Sequence, residues 1–241
     1  MIVLGSNSEI AQAFVEKVLE AGEKYPVIYL LTSNHETAEK FARHLDVKFF
    51  QRTEIIELDL MKEIDYTKLD EISSDLLFCA TGYLGENTEE GLYNNKNTEI
   101  IIDINYAKLI PVLSFFAGKM ERQRSGTLIV LSSVAGDRGR QSNFIYGSAK
   151  AGLSAYLSGL RNYLFSRKVH VLTIKPGFMD TKMTEGLPLN PALTATPKRA
   201  AEGIYKAFRK KKNTAYVLPV WGIIMLIIKN IPEFIFKKLK L

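Results

Sequence analysis

From Ile2 to Ile174 the chain alternates short apolar runs with helical patterns, and this alternation restricts the fold more than any other feature. The runs lie at 2–4, 27–31, 53–58, 75–80, 127–131 and 169–174. Each is nearly continuous in apolar residues, which suits strands covered on both faces. Between them come segments with apolar residues three and four apart. Ile10, Phe14, Val15, Val18 and Leu19 form one such face, which stops at Gly22 as helices commonly do. A second helix is expected over 36–45. A longer one opens near 100–106 and continues its apolar face through Leu109, Val112, Leu113 and Phe116. Strands alternating with helices predict an α/β fold, a single doubly wound parallel sheet of Rossmann type. With 241 residues, 46% of them hydrophobic, one domain with a sizeable core is expected over 1–215.

Residues 216–241 read differently, as a hydrophobic and basic tail. Residues 217–228 are twelve without a charge, among them Pro219, Trp221 and Gly222. Ile231, Phe234, Ile235 and Phe236 follow among Lys229, Lys237, Lys238 and Lys240. Twelve residues cannot span a bilayer, which takes about 20. Trp, bulky aliphatics and lysines together predict an amphipathic segment lying in the surface of an anionic membrane. The alternative is a tail packed on its own domain or on a partner subunit. The charge is uneven: residues 198–241 hold 11 of the 32 Lys and Arg against Glu202 and Glu233 alone, so the remainder is nearly neutral. One cysteine, Cys79, excludes an internal disulfide and fits a reducing compartment. His35, His44 and His170 lack metal-ligand spacing, so no metal is expected. Met1 leads almost directly into a strand, so no signal peptide is expected and the cytoplasmic side of the membrane is the expected location.

Chemistry concentrates in residues 131–153. Tyr146 and Lys150 stand four apart, on one face of a helix, so phenol and ammonium share a space. A neighbouring ammonium stabilises a phenolate and is expected to lower the tyrosine pKa, making Tyr146 a proton donor or acceptor. Ser133, thirteen positions earlier, can be returned by the intervening loop to hold a substrate carbonyl oxygen. Of the eleven tyrosines, only Tyr146 is followed by lysine at the fourth place. At the other end of the chain, strand 2–4, the Gly5-Ser6-Asn7-Ser8-Glu9-Ile10-Ala11 turn and a helix present the geometry that sets a pyrophosphate on helix N-terminal amides. After the second strand, Thr32-Ser33-Asn34 holds no carboxylate for ribose hydroxyls. Ser33 and Asn34 can donate to a 2′-phosphate, so the cofactor reads as NADP, with NAD as the alternative.

Ser133 with Tyr146-x-x-x-Lys150 resembles the short-chain dehydrogenase/reductase family, over roughly residues 1–210. The resemblance implies hydride transfer from NAD(P)H to a ketone. It makes Ser133, Tyr146 and Lys150 the catalytic residues, and adds Asn105 as the holder of a water in a proton relay. For the dinucleotide it implies Gly5, Asn7, Ser8 and Ile10 at the phosphate turn, Asp59 and Leu60 at the adenine, and Ala80 and Gly82 after the fourth strand. Tyr146 and Lys150 would meet the ribose, and Pro176, Gly177 and Thr181 would cover the nicotinamide. The chain departs from the family pattern at Glu9, where a glycine is usual, and at 79–82, where only Gly82 matches Asn-Asn-Ala-Gly. The segments 5–11, 80–86 and 132–150 are similar to the branch containing decaprenylphosphoryl-2-keto-ribose reductases. That branch implies a lipid-phosphate-linked keto-sugar, a cell-envelope polysaccharide precursor, with Arg138 and Arg140 available to its phosphate. It also implies a homodimer or tetramer, no nucleic-acid partner, and a flavin-dependent oxidase as a possible source of the ketone. A 3-keto sphingoid base or another long-chain lipid ketone is the alternative substrate. A non-catalytic nucleotide-binding scaffold is the alternative class, against which Asn105, Ser133, Tyr146 and Lys150 together argue. Residues 182–195, with two prolines and little periodicity, are expected to form a lid over the substrate.

Overall fold

The computed structural model describes residues 1–85 and 93–240; Glu86 of the 80–86 segment and Leu241 of the tail lie outside the described residues. The apolar runs become β1 (Ile2–Leu4), β2 (Ile28–Thr32), β3 (Thr53–Glu57), β4 (Leu76–Cys79), β5 (Gly126–Leu131) and β6 (Val169–Lys175). Two-residue strands β7 (Phe178–Met179) and β8 (Thr194–Ala195) pair beside the sheet, and β9 (Thr214–Tyr216) joins its edge. The main sheet has seven parallel strands in the order β3-β2-β1-β4-β5-β6-β9. The helices are α1 (Glu9–Glu20), α2 (His35–Phe49), α3 (Tyr66–Asp70), α4 (Asn95–Ile102), α5 (Leu109–Gln123), α6 (Phe144–Phe165), α7 (Pro197–Arg209), α8 (Val220–Asn230) and α9 (Glu233–Phe236).

Because strand side chains alternate in direction, each strand feeds two cores. Val3, Leu30, Phe78, Ile129 and Leu172 face α1, α2, α7 and α8, where Phe14 stacks on Phe78 with centroids 4.3 Å apart. Ile2, Leu4, Leu31, Leu77, Leu128 and Val130 face α3, α5 and α6. Full burial of each such side chain contributes roughly 1.5–3 kcal/mol, so both helix layers are fixed by the sheet. The chain order reverses between β1 and β4, opening a crevice at the carboxyl ends of the strands where α/β sheets receive ligands.

The expected long helix is interrupted. Between α4 and α5, Asp103–Ala107 forms a π turn, which inserts one residue into the helical repeat and turns Asn105 inward to full burial. The whole segment 95–123 is long and apolar enough to cross a membrane by length and composition, yet α5 lays Leu109, Val112, Leu113 and Phe116 into the core of the sheet.

The expected boundary at 215/216 falls inside β9, and the tail continues as α8 and α9. One face of α8 packs on the domain: Trp221 and Met225 are buried, and Trp221 meets Phe178 edge-on at 5.1 Å while its Nε1 donates to Leu193 O at 3.0 Å. The opposite face leaves Ile223, Leu226 and Ile227 more than three-fifths exposed. Packing is tightest at Gly177, where a Cβ would lie 2.0 Å from Trp221 Nε1. Gly177→Ala is therefore expected to overpack the contact and cost about 1–3 kcal/mol, read as a lowered urea midpoint with unchanged m-value.

Candidate active site

Five segments meet at the crevice: the turn after β1, the ends of β2, β4 and β5, and the loop after β6. They enclose a cavity of about 1470 Å³, above the roughly 300–1,000 Å³ of a site for one small ligand. At the β1 end, Gly5 has φ +79°, and a Cβ there would lie 2.8 Å from Thr81 N and Oγ1. Glycine is thus required both by its backbone conformation and by the close approach of the β4 loop. Ser8 caps α1, its Oγ accepting from Ala11 N at 3.4 Å. The buried Asn7 Oδ1 and Ser6 Oγ have no hydrogen-bond partner among the described residues. Asn7 Oδ1, an acceptor on a residue that lines the cavity, fits a hydroxyl such as that of a ribose, and the N-terminal amides of α1 suit a pyrophosphate. Glu9 departs from the family glycine without blocking this turn, since its carboxylate accepts from Lys182 N at 2.8 Å in the segment after β7.

Of the other residues expected at the cofactor, Ile10, Ser33, Asp59, Leu60, Ala80, Gly82, Pro176, Gly177 and Thr181 line the same cavity. Asn34 does not: it is the N-cap of α2, with Oδ1 accepting from Thr37 N at 3.2 Å. Asp59 also has a local task, accepting from Met61 N at 2.9 Å. The cavity gains Thr37 and Thr81, which carry no pattern in the sequence and become visible only through the parallel pairing of β1 with β2 and β4.

Ser133, Tyr146 and Lys150 come together at the end of β5. Ser132 Oγ donates to Lys150 O at 3.0 Å, and Lys150 Nζ donates to Leu131 O at 3.3 Å, which ties α6 to the strand end. Lys150 is 2% exposed, with Nζ 5.7 Å from the Tyr146 ring centroid. Gly82 separates Lys150 from Asn105: a Cβ on it would lie 3.3 Å from Lys150 Nζ and 3.2 Å from Asn105 Oδ1. Asn105 is held by Tyr83, donating to Tyr83 O at 2.6 Å and accepting from Tyr83 N at 3.2 Å. It lies behind the cavity wall rather than on it.

The electrostatics differ from the sequence expectation. Burial pushes the Tyr146 phenol up to about 12, and the Ser133 hydroxyl opposes that shift without overcoming it. Burial also lowers Lys150 to about 8, with Cys79 opposing. Desolvation is the largest cause at both groups, with Ser133 opposing it at Tyr146 and Cys79 at Lys150. Tyr146 keeps its proton throughout the neutral range, as a donor must.

On the substrate side, Leu84, Ile145, Met183, Leu187 and Leu189 give the cavity an apolar wall. Arg140 lines it too, with a buried Nε that has no partner among the described residues, and its pKa is lowered by burial. Arg138, expected beside it, is committed elsewhere: Nη1 donates to Ile228 O and Ile231 O at 2.7 and 2.6 Å.

A folded-state value of about 8 against the usual 10.5 means that Lys150 destabilises the fold below about pH 8. The penalty is relieved as pH rises toward 10.5, because over that interval the unfolded chain binds more protons. Lys150→Met should therefore raise stability by on the order of 3 kcal/mol at pH 7. Urea titrations at pH 7 and pH 10 check this, and the gain should fade at the higher pH.

Several known proteins are similar to this chain. An uncharacterized oxidoreductase of Streptomyces coelicolor is 28% identical over 244 residues, covering 99% of this chain and 95% of its own length. An uncharacterized oxidoreductase of Mycobacterium tuberculosis is 34% identical over 139 residues, 58% of this chain, and the match spans only 55% of that relative. A short-chain dehydrogenase from Burkholderia cenocepacia J2315, solved in complex with NADP, superposes with a TM-score of 0.83 at 17% identity, covering 98% of this chain and 95% of its own. The family model for short chain dehydrogenases matches residues 1–191, most of the described sheet and all of the Ser133, Tyr146 and Lys150 cluster, and the chain belongs to that family.

Proposed function

We propose that the protein is an NAD(P)H-dependent reductase of a ketone on a membrane-borne substrate, most specifically a polyprenyl-phosphate-linked keto-sugar. The observation that carries the reductase reading is the meeting of Ser133, Tyr146 and Lys150 at the end of β5, beside the turn that begins at Gly5. A reduced nicotinamide dinucleotide held along that turn would supply the hydride. Ser133 orients the carbonyl oxygen, Tyr146 gives it a proton, and the ammonium of Lys150 stabilises the phenolate left behind. Asn105, whose amide is taken up by Tyr83 and Ile101 behind Gly82, would enter a proton relay only through its place beside Lys150, and that role rests on the family resemblance alone. Arg140 supports an anionic substrate, its unpartnered Nε being matched to a phosphate oxygen. The apolar wall of Leu84, Met183, Leu187 and Leu189 equally suits a long-chain lipid ketone, so the two substrates separate on whether Arg140 is needed.

For the cofactor the reading is NADP, supported by the absence of an acid after β2 and by the NADP bound in the Burkholderia neighbour, with NAD as the alternative. The exposed Phe144, Tyr163 and Phe165 of α6 support a homodimer or tetramer as part of the same reading. The outer face of α8 and α9 supports peripheral attachment at the cytoplasmic face of the membrane. There Ile223, Leu226, Ile227 and Phe234 are exposed beside Lys229, Lys237 and Lys238. A flavin-dependent oxidase would be the class of enzyme that makes the ketone.

Tyr146→Phe removes the proton donor and leaves the cavity shape intact. Turnover of a ketone with NADPH should fall at least about a hundredfold while NADPH titrates as in wild type. Retention of near wild-type rate would sink the mechanism. For the membrane reading, the full chain should co-sediment with vesicles containing anionic phospholipid and be released by salt, each lysine at the surface contributing about 1 kcal/mol. A protein that stays in the supernatant at low salt would show that the outer face of the tail meets protein instead.

A further inference from the structure

Arg138 lies in the loop that joins Ser133 to Tyr146, and all the partners named for it below lie ninety or more residues away. Its Nη1 donates to Ile228 O at 2.7 Å, Ile231 O at 2.6 Å and Lys229 O at 3.2 Å, and its Nη2 donates to Glu233 Oε2 at 2.9 Å. The guanidinium carbon stands 3.7 Å from the centroid of the Phe236 ring. One side chain therefore binds carbonyls at and just beyond the end of α8, an acid at the start of α9, and the aromatic face that closes α9. The planar fork of arginine can do all of this, whereas the point charge of lysine cannot. A cation is also favoured at the carbonyl end of a helix.

The loop itself is anchored independently of Arg138. Asp137, whose side chain is 1% exposed, is ion-paired with Lys175 and accepts from Tyr216 Oη at 2.7 Å. Gly136 rests on α6, where a Cβ would lie 2.6 Å from the carbonyl carbon of Lys150. Beyond α9 the chain returns to the cavity, and Lys240 lines it together with Arg140, Met183 and Leu187.

We propose that the segment after α8 is one wall of the substrate site and that Arg138 is the positioning residue that holds it there. The proposal rests on the reading of this cavity as a ketone reductase site. Since Asp137 keeps the loop in place without Arg138, loss of the arginine should free the tail while leaving Ser133, Tyr146 and Lys150 where they are. A ketone large enough to reach the tail would then bind poorly, and a small one would not.

The test uses full-length Arg138→Ala, Arg138→Lys and Phe236→Ala, with ethyl acetoacetate as the small ketone and ethyl benzoylacetate as the bulky one. In Arg138→Ala, KM for ethyl benzoylacetate should rise at least about tenfold. Its kcat, the KM for ethyl acetoacetate and the Kd for NADPH should stay within about twofold. Arg138→Lys should recover only part of the loss. Trypsin should cut at Lys237 and Lys238 sooner than in wild type. Phe236→Ala should show the same signature more weakly, and the double variant should be no worse than Arg138→Ala alone, because both act through one contact. If Arg138→Ala does not fold, Phe236→Ala decides by the same readouts. Faster tryptic release with unchanged KM for the bulky ester would overturn the proposal, as would a fall in kcat with both esters, which would mean that the loop had moved. A wild type that binds NADPH and reduces neither ester would overturn the reductase reading and this inference with it. An unchanged KM in a variant of an active enzyme overturns the inference alone.

Discussion

The attachment of α6 to the end of β5 through Lys150 is the constraint on which the rest of the site depends. An ammonium group almost without exposure must be satisfied from within, and Lys150 finds the carbonyl of Leu131 while its own carbonyl takes the Ser132 hydroxyl. Those two bonds fix the rotation of α6, and so aim Tyr146 one turn earlier on the same face. Gly82 must be small to pass between Lys150 and Asn105, and Gly136 must be small to rest on the Lys150 backbone. Removing the charge would relax the site, but it would also remove the reason for its geometry. Stability and chemistry pull in opposite directions here, as they do where a strained or desolvated group is retained for function.

Much of this could be read from residues alone, because it depends on local periodicity. The Tyr146 and Lys150 spacing and the Gly5 turn are short-range signals, and helix periodicity and strand runs carry them directly. What failed to show depends on contacts distant in sequence or on the balance of opposing terms. The π turn at Asp103–Ala107 leaves no mark in a helical pattern, since its apolar positions continue on either side. Asn34 looks like a phosphate donor until α2 is seen to begin beside it and take its oxygen. Arg138 sits in sequence as a partner to Arg140, and only the folded chain shows one arginine bound to the tail and the other facing the cavity. The lysine four residues on predicts a lowered Tyr146 pKa, whereas burial, which a sequence does not show, raises it.

The tail illustrates the same limit. Its composition announces a surface-seeking segment, yet composition cannot tell which face of a helix is already taken. Trp221 and Met225 turn inward, Trp221 against Phe178 and Leu193, while Ile223, Leu226 and Ile227 turn outward. A single helix thus carries an inner face that supports the loop after β6 and an outer face still free to meet another phase.

The cavity also has a history in time. It is walled by residues from Leu4 to Lys240, and β1 lies inside the sheet between β2 and β4, which follow it in the chain. Such long-range pairings are slow to form, because loop closure must come before the contacts that reward it. If the segment after α8 walls the substrate as proposed, that wall cannot exist until residues near 240 have left the ribosome and docked, long after the turn at Gly5 has been made. On that proposal, a nascent chain of this protein would have all the residues expected at the cofactor once Thr181 is made, before the segment that selects what to reduce.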